Sequence, residues 1–244
     1  MSLPFQPPTP TAIPTELATA TLAPTETPTP APSATPTPDS AAMAQTQAAE
    51  TRVAAAPIIE PQMQKYGLST AQGSLGWMHR PITLSLTKYG EYQTAVDYPE
   101  LRVADFVVQA DITWSTTTGF AGCGFAVRAS PGFGRKLEYN LLTVRLSGAP
   151  VWLFAFYKSG NWTNISGFRK AAKLNVKQGS TNTVAIVAQG SRFTTYVNGA
   201  NAGSVTHTKV SEGAVGFLAD QESGKTTCTF ENAWLWVLKP GSGT

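Results

Sequence analysis

Before Tyr66 the chain holds one aromatic residue, Phe5, and its first sixty residues contain no lysine. A segment so poor in large apolar side chains cannot build a packed core. Histidine and cysteine are scarce throughout, with only His79, His207, Cys123 and Cys228. That scarcity leaves no zinc-ligand set and no basis for a Ser-His-Asp arrangement. No run of about 18 apolar residues occurs, so no membrane-spanning helix is predicted. A secretory signal is also missing. Because Met1-Ser2-Leu3 leads straight into a proline-rich tract, an export or anchor segment upstream is expected. Clustered basic charge is limited to Arg169, Lys170 and Lys173, which read as a solvated loop, and nucleic acid is not an expected partner.

Proline and threonine dominate the start of the chain. Thirteen of the eighteen prolines lie at or before Pro61, in repeats such as Thr27-Pro28-Thr29-Pro30 and Thr35-Pro36-Thr37-Pro38. Each proline fixes φ and pushes its predecessor out of the helical region, which favours extended polyproline II. Residues 1–61 are therefore read as a linker that holds the body away from its anchor, on the order of 100 Å where fully extended. Within it, the alanine-rich stretch 41–56 predicts a short helix capped by Asp39 or Ser40 and ending before Pro57. The linker carries a net charge of −4 and the body +7. Residues 62–239 form one domain of ordinary size, followed by a tail at 240–244.

In the body, apolar and polar residues alternate. Phe106, Val108, Ala110, Ile112 and Trp114 share one parity, with Gln109, Asp111 and Thr113 on the other, as in a half-buried strand. Similar runs cover 82–86, 92–96, 120–128, 138–146, 151–158, 183–189, 193–198, 202–206, 214–219 and 227–238. Turn residues separate them, among them Ser159-Gly160 and Asn198-Gly199, where positive φ is cheap. Ten or more short strands without a convincing helix between them predict an all-β, antiparallel two-sheet sandwich or a barrel.

Six segments in order carry a resemblance: Gly124-Phe125-Ala126-Val127-Arg128, Tyr139 to Val144, Asn182 to Ile186, Tyr196-Val197-Asn198-Gly199, Gly213 to Phe217 and Phe230-Glu231-Asn232. Together they resemble the concanavalin A-like jelly-roll superfamily, in its laminin-G-like and 3-keto-disaccharide-hydrolase-like bacterial branches. The resemblance spans approximately Gly76 to Leu238 and implies two curved antiparallel sheets with a concave face that often binds sugars. It does not imply one function, because lectins, glycosidases, adhesion modules and sensor ectodomains share the fold.

Catalysis on such a fold needs two facing carboxyl groups, usually from alternate positions of one strand. No Glu-x-Asp-x-Glu occurs, so the chain is read toward binding rather than catalysis. Asp111 reads as a solvent-facing strand residue. Asp220 and Glu222 are read as a solvated pair or at most a weak calcium site, and no other cofactor is expected. Both histidines are expected on the surface. Cys123 and Cys228 both point inward by parity, and either a disulfide or two packed thiols satisfies that pattern.

Aromatic residues supply the candidate ligand site. In Val151 to Tyr157 two apolar sets alternate, so one faces the core and the other faces something else. Trp152, Phe154 and Phe156 are assigned to the core, while Trp234 and Trp236 are expected to cover the first strand or the incoming linker. Tyr157 and Trp162 are placed in a ligand site, with Arg128, Tyr139 and Arg145 as polar or stacking neighbours, because sugar C–H faces pack on rings while hydroxyls bond to planar polar groups. The expected function is a non-catalytic extracellular module that binds carbohydrate or another cell-surface polymer. The alternatives are a glycoside hydrolase-like enzyme and a structural or sensor ectodomain that contacts protein. Oligomeric state stays open.

Overall fold

The computed structural model describes residues 40–117, 119–131 and 137–241. The expected extended tract at 1–39 lies outside the described residues. One helix, α1 (Ser40–Gln64), precedes fourteen strands: β1 (Gly73–His79), β2 (Ile82–Leu86), β3 (Tyr92–Ala95), β4 (Phe106–Thr116), β5 (Phe120–Ala129), β6 (Leu137–Leu146) and β7 (Ala149–Lys158). The remainder are β8 (Asn161–Asn164), β9 (Arg169–Lys170), β10 (Thr181–Gln189), β11 (Arg192–Val197), β12 (Ala200–Thr206), β13 (Ala214–Gln221) and β14 (Thr226–Leu238). They form two antiparallel sheets of seven strands. Sheet A runs β1-β14-β4-β10-β11-β12 with β2 also on β14; sheet B runs β3-β13-β5-β6-β7-β8 with β9 also on β7.

Strand alternation fills the space between the sheets. Phe106, Val108, Ile112 and Phe193 of sheet A meet Phe125, Leu141, Trp152, Phe154 and Phe217 of sheet B in one buried cluster. Trp152, Phe154 and Phe156 thus belong to the core. Cys123 of β5 and Cys228 of β14 form a disulfide through this core, with their Cα atoms 5.8 Å apart. Of the two states that the sequence left open, the bridge is the one adopted.

The helix departs from the sequence expectation. It does not stop before Pro57 but continues through Pro57 and Pro61 to Gln64. Ala55, Ile59 and Met63, four residues apart, are buried against Val107, Ala185, Val187, Trp234 and Trp236 on the outer face of sheet A. Both prolines lie on the exposed side. Burial of one narrow stripe therefore offsets the backbone hydrogen bonds that proline removes. From Ala41 onward, α1 belongs to the compact unit Ala41–Thr244.

Two polar details correct the expectation of surface histidines. His79 is buried, its Nε2 lying 3.0 Å from an Asp97 carboxyl oxygen and its Nδ1 2.6 Å from the Arg80 carbonyl. Its ring also packs edge-on to Phe217. His207 is half-buried, with Nδ1 2.8 Å from the Tyr139 hydroxyl. Aromatic neighbours hold both rings, a tertiary effect that local polarity does not reveal.

Candidate functional site

Sheet A's outer face is covered in part by α1, whereas the outer face of sheet B carries no helix among the described residues. Its composition follows from parity. On β6 the odd positions Tyr139 and Leu141 enter the core, so Glu138, Asn140, Leu142 and Val144 face outward. On β7, Trp152, Phe154 and Phe156 face inward, and Val151, Leu153, Ala155 and Tyr157 face outward. Leu218 and Asp220 of β13 join them, while β5 contributes Phe120 at its start and then only the small residues Gly122, Gly124 and Ala126. At Gly124 no side chain fits, because a Cβ would sit 1.9 Å from the Leu141 carbonyl oxygen. The middle of this face is therefore a low floor.

At one end of that floor three rings converge. Tyr157 is paired in register with Trp162 of β8, and their rings meet edge-on at 5.6 Å. Tyr92, from edge strand β3, stacks on Tyr157 at 5.7 Å with an interplanar angle of 10°, and Trp162 closes edge-on against it at 5.5 Å. The Tyr92 hydroxyl donates to a carboxyl oxygen of Glu138, the residue opposite Tyr157 across the β6–β7 ladder. Burial and the neighbouring Glu138 charge push the Tyr92 phenol far above the usual tyrosine range. Asn140 is fully buried beside Glu138, and neither atom of its amide makes a hydrogen bond of normal geometry. The Tyr92 hydroxyl also interacts with that amide, so Glu138 and Asn140 share one hydroxyl.

The Tyr92–Glu138 contact also reports the shape of the sheet. Tyr92 pairs with Asp220, which pairs with Gly122 and through it Val144. Glu138 lies six residues further along β6, so on a flat sheet the two Cα atoms would be roughly 25 Å apart. No tyrosine and glutamate could bridge that gap. Sheet B therefore curls strongly toward this face, which makes it the hollow side of the sandwich. Asp220, on the same face, has its carboxyl pushed up to about 6 by burial.

Of the five residues that the sequence placed in the ligand site, the structure brings together two, Tyr157 and Trp162. Trp162 is 39% exposed and Tyr157 half-buried. Tyr139 faces the core between the sheets, against Phe154 and Phe193. Arg145 shares Tyr139's parity and lines a separate cavity of about 310 Å³ with Trp114 and Lys177. Arg128 would face outward by alternation, but a register shift between β5 and β13 and a left-handed backbone (φ 48°) turn it inward. There its guanidinium donates to the carbonyls of Ala104, Gly190 and Val210 and lies 4.6 Å from the Phe193 ring centre. Arg128 and Tyr139 are thus held in the interior, and Arg145 lies at that separate cavity rather than beside Tyr157 and Trp162. Sequence reading missed Tyr92, Glu138 and Asn140. The signal for the last two was present: once Tyr139 is placed in the core, Glu138 and Asn140 must face out, opposite Tyr157 and Ala155.

Among the described residues no group of three or more His, Cys, Asp or Glu side chains is placed to hold a metal ion. Glu222 is exposed in the β13–β14 turn, whereas Asp220 faces the hollow, so the expected pair does not act as a unit.

No protein-family model and no curated protein matches the chain. Among solved structures, the carbohydrate-binding module CBM66 from Bacillus subtilis superposes with a TM-score of 0.51 at 18% identity, covering 65% of this chain and 96% of that one. The Bacillus licheniformis β-glucanase superposes with a TM-score of 0.44 at 13% identity, over 65% of this chain and 79% of that one. At such identities the likeness concerns architecture alone, and the fold is a two-sheet jelly-roll sandwich.

Proposed function

We propose that the chain is a non-catalytic carbohydrate-binding module whose ligand lies in the hollow of sheet B, on Tyr157 and Trp162, with Glu138 and Asn140 as polar contacts. One observation carries this reading. An exposed tryptophan and a stacked tyrosine stand beside a fully buried amide that makes no hydrogen bond of normal geometry, on the curled outer face of a sandwich sheet, beneath Tyr92. Rings hold the C–H face of a sugar, and an acceptor and an amide at their edge bind its hydroxyls. The likeness to a solved carbohydrate-binding module of the same fold supports it. An inter-sheet disulfide suits an oxidising, extracellular setting, and the Thr-Pro tract suits display at a distance from a cell surface. Retention of the protein on immobilised neutral polysaccharides tests this directly. Binding should be saturable and should fall at least tenfold in a Tyr157→Ala, Trp162→Ala double variant; a flat response across a broad glycan array would sink the reading.

A second reading, glycoside hydrolysis, is kept alive by the presence of both Glu138 and Asp220 on the hollow face, one of them with a carboxyl that titrates near neutrality. It requires release of reducing ends that disappears in Glu138→Gln.

A further inference from the structure

The partner that this hollow is built for is read from the residue that now fills it. Tyr92 comes from a four-residue edge strand, and its ring lies parallel on Tyr157 as a bound sugar ring would. Trp162 walls it on one side. Its hydroxyl is donated to Glu138, a fully buried acceptor, and beside that contact the Asn140 amide is left without a bond of normal geometry.

Building on the proposed carbohydrate site, we infer that Tyr92 is an internal surrogate for a neutral, ring-sized hydroxyl donor, and that the ligand binds by displacing it. A single tyrosine hydroxyl is shared between Glu138 and Asn140, and it gives the amide no bond of normal geometry. A sugar ring with two adjacent hydroxyls satisfies both, donating one hydrogen bond to the carboxyl oxygen while the neighbouring hydroxyl meets the amide. That difference gives the ligand an advantage over the plug. Exchange of partners is needed because a buried polar group stripped of its bond is costly. Selection by charge follows from the same residues. Glu138 and Asp220 both face the hollow, so a uronic acid or sulfated sugar would bring a third acidic group into a partly desolvated space.

Displacement requires Tyr92 to leave its stack, and an edge strand with one sheet neighbour, β13, is the element best placed to allow it. While the plug is in, the binding-competent fraction is reduced, and the apparent affinity falls by that fraction.

The test compares the full chain with Tyr92→Ala, Tyr92→Phe and Tyr157→Ala by affinity electrophoresis and calorimetry. The probes are three neutral polysaccharides, mixed-linkage β-glucan, levan and xylan, and one anionic polymer, polygalacturonate. Removing the plug should tighten binding to at least one neutral polymer roughly tenfold, and Tyr92→Phe, which keeps the ring but loses the Glu138 bond, a few-fold. Tyr157→Ala should lose binding, and polygalacturonate should be retained by none. Weaker or unchanged binding by Tyr92→Ala, with the parent chain still bound, overturns the surrogate while leaving the carbohydrate reading intact. Retention of polygalacturonate as tight as that of the neutral polymers overturns the selection by charge. Failure of every variant and the parent to bind any neutral polymer overturns both proposals. If thermal unfolding shows that Tyr92→Ala does not fold, Tyr92→Phe decides alone.

Discussion

Cys123 of β5 is bonded to Cys228 of β14, 105 residues later in the chain, so the two sheets are tied covalently through the middle of their shared core. A loop of that length gives the unfolded chain much freedom to lose. In the chain-entropy view, closing it contributes on the order of 4 kcal/mol, and native disulfides of secreted domains typically contribute about 2–5 kcal/mol. Replacing both cysteines with alanine should lower the thermal midpoint by several degrees or more, and the same shift should follow reduction of the parent protein. Calorimetry with and without reductant checks it. An unchanged midpoint would show that the bridge is a passenger of a core already sufficient by itself.

Arg128 offers a test of a different kind, because sequence placed it at the ligand and structure places it at the seam between the sheets. It is 1% exposed, and its guanidinium serves three backbone carbonyls from three separate segments. Arg128→Met keeps the packing on Phe193 but leaves those carbonyls unsatisfied. Stability in urea should fall by about 2–4 kcal/mol, while the affinity of the folded fraction for any neutral polysaccharide should remain that of the parent.

The strands were legible because their alternation is locally complete. Ile82–Leu86 matches the expected span at both ends, and most of the other expected strands lie within one or two residues of it. Three strands were not expected: β1, where a bulge between Leu75 and Trp77 breaks the alternation; β8, whose four residues are all exposed and carry no alternation; and β9, which is two residues long. The candidate site was half legible for a related reason. Tyr157 and Trp162 flank a turn that the sequence marks with Ser159-Gly160, so their pairing is local. Tyr92 reaches them from 65 residues earlier, across three intervening strands, and only the curl of the sheet brings it there. Arg128 was misplaced because a register shift reverses the direction that simple alternation assigns. Helix α1 outran its expected end because tertiary burial of Ile59 and Met63 overrides the proline penalty.

Asp220 should make stability depend on pH near neutrality. Burial raises its carboxyl from the ordinary value of 3.8 to about 6. Between those values the native state binds the proton more tightly than the unfolded chain, so stability is greatest below 3.8 as far as this group is concerned and declines as pH rises to 6. The decline should amount to about 1–2 kcal/mol once solvent screening is allowed for. Asp220→Asn should abolish that slope and leave the protein more stable than the parent at pH 8. Urea unfolding at half-unit steps from pH 4 to 8 measures it, and identical profiles for the two proteins would rule the effect out.

Glu60 acts in the opposite direction and on a different element. From the last turns of α1 its carboxylate accepts hydrogen bonds from the backbone N–H of Thr70 at 2.7 Å, the Thr70 hydroxyl at 2.5 Å and the Ser69 hydroxyl at 3.2 Å. The Thr70 contacts are the main reason its pKa falls from 4.5 to about 2. A carboxyl depressed in the folded state stabilises above its unfolded value and loses that contribution as pH falls through its folded one. The clasp between α1 and the turn before β1 should therefore hold fully above pH 4.5 and weaken between 4.5 and 2. Trp234 and Trp236, buried beneath the helix, provide the reporter. Their fluorescence should shift toward the solvent-exposed range across that window in the parent protein, and in Glu60→Gln the acid-dependent shift should be absent. A parent spectrum constant down to pH 2.5 would show that the apolar stripe Ala55, Ile59 and Met63 holds the helix without help from the clasp.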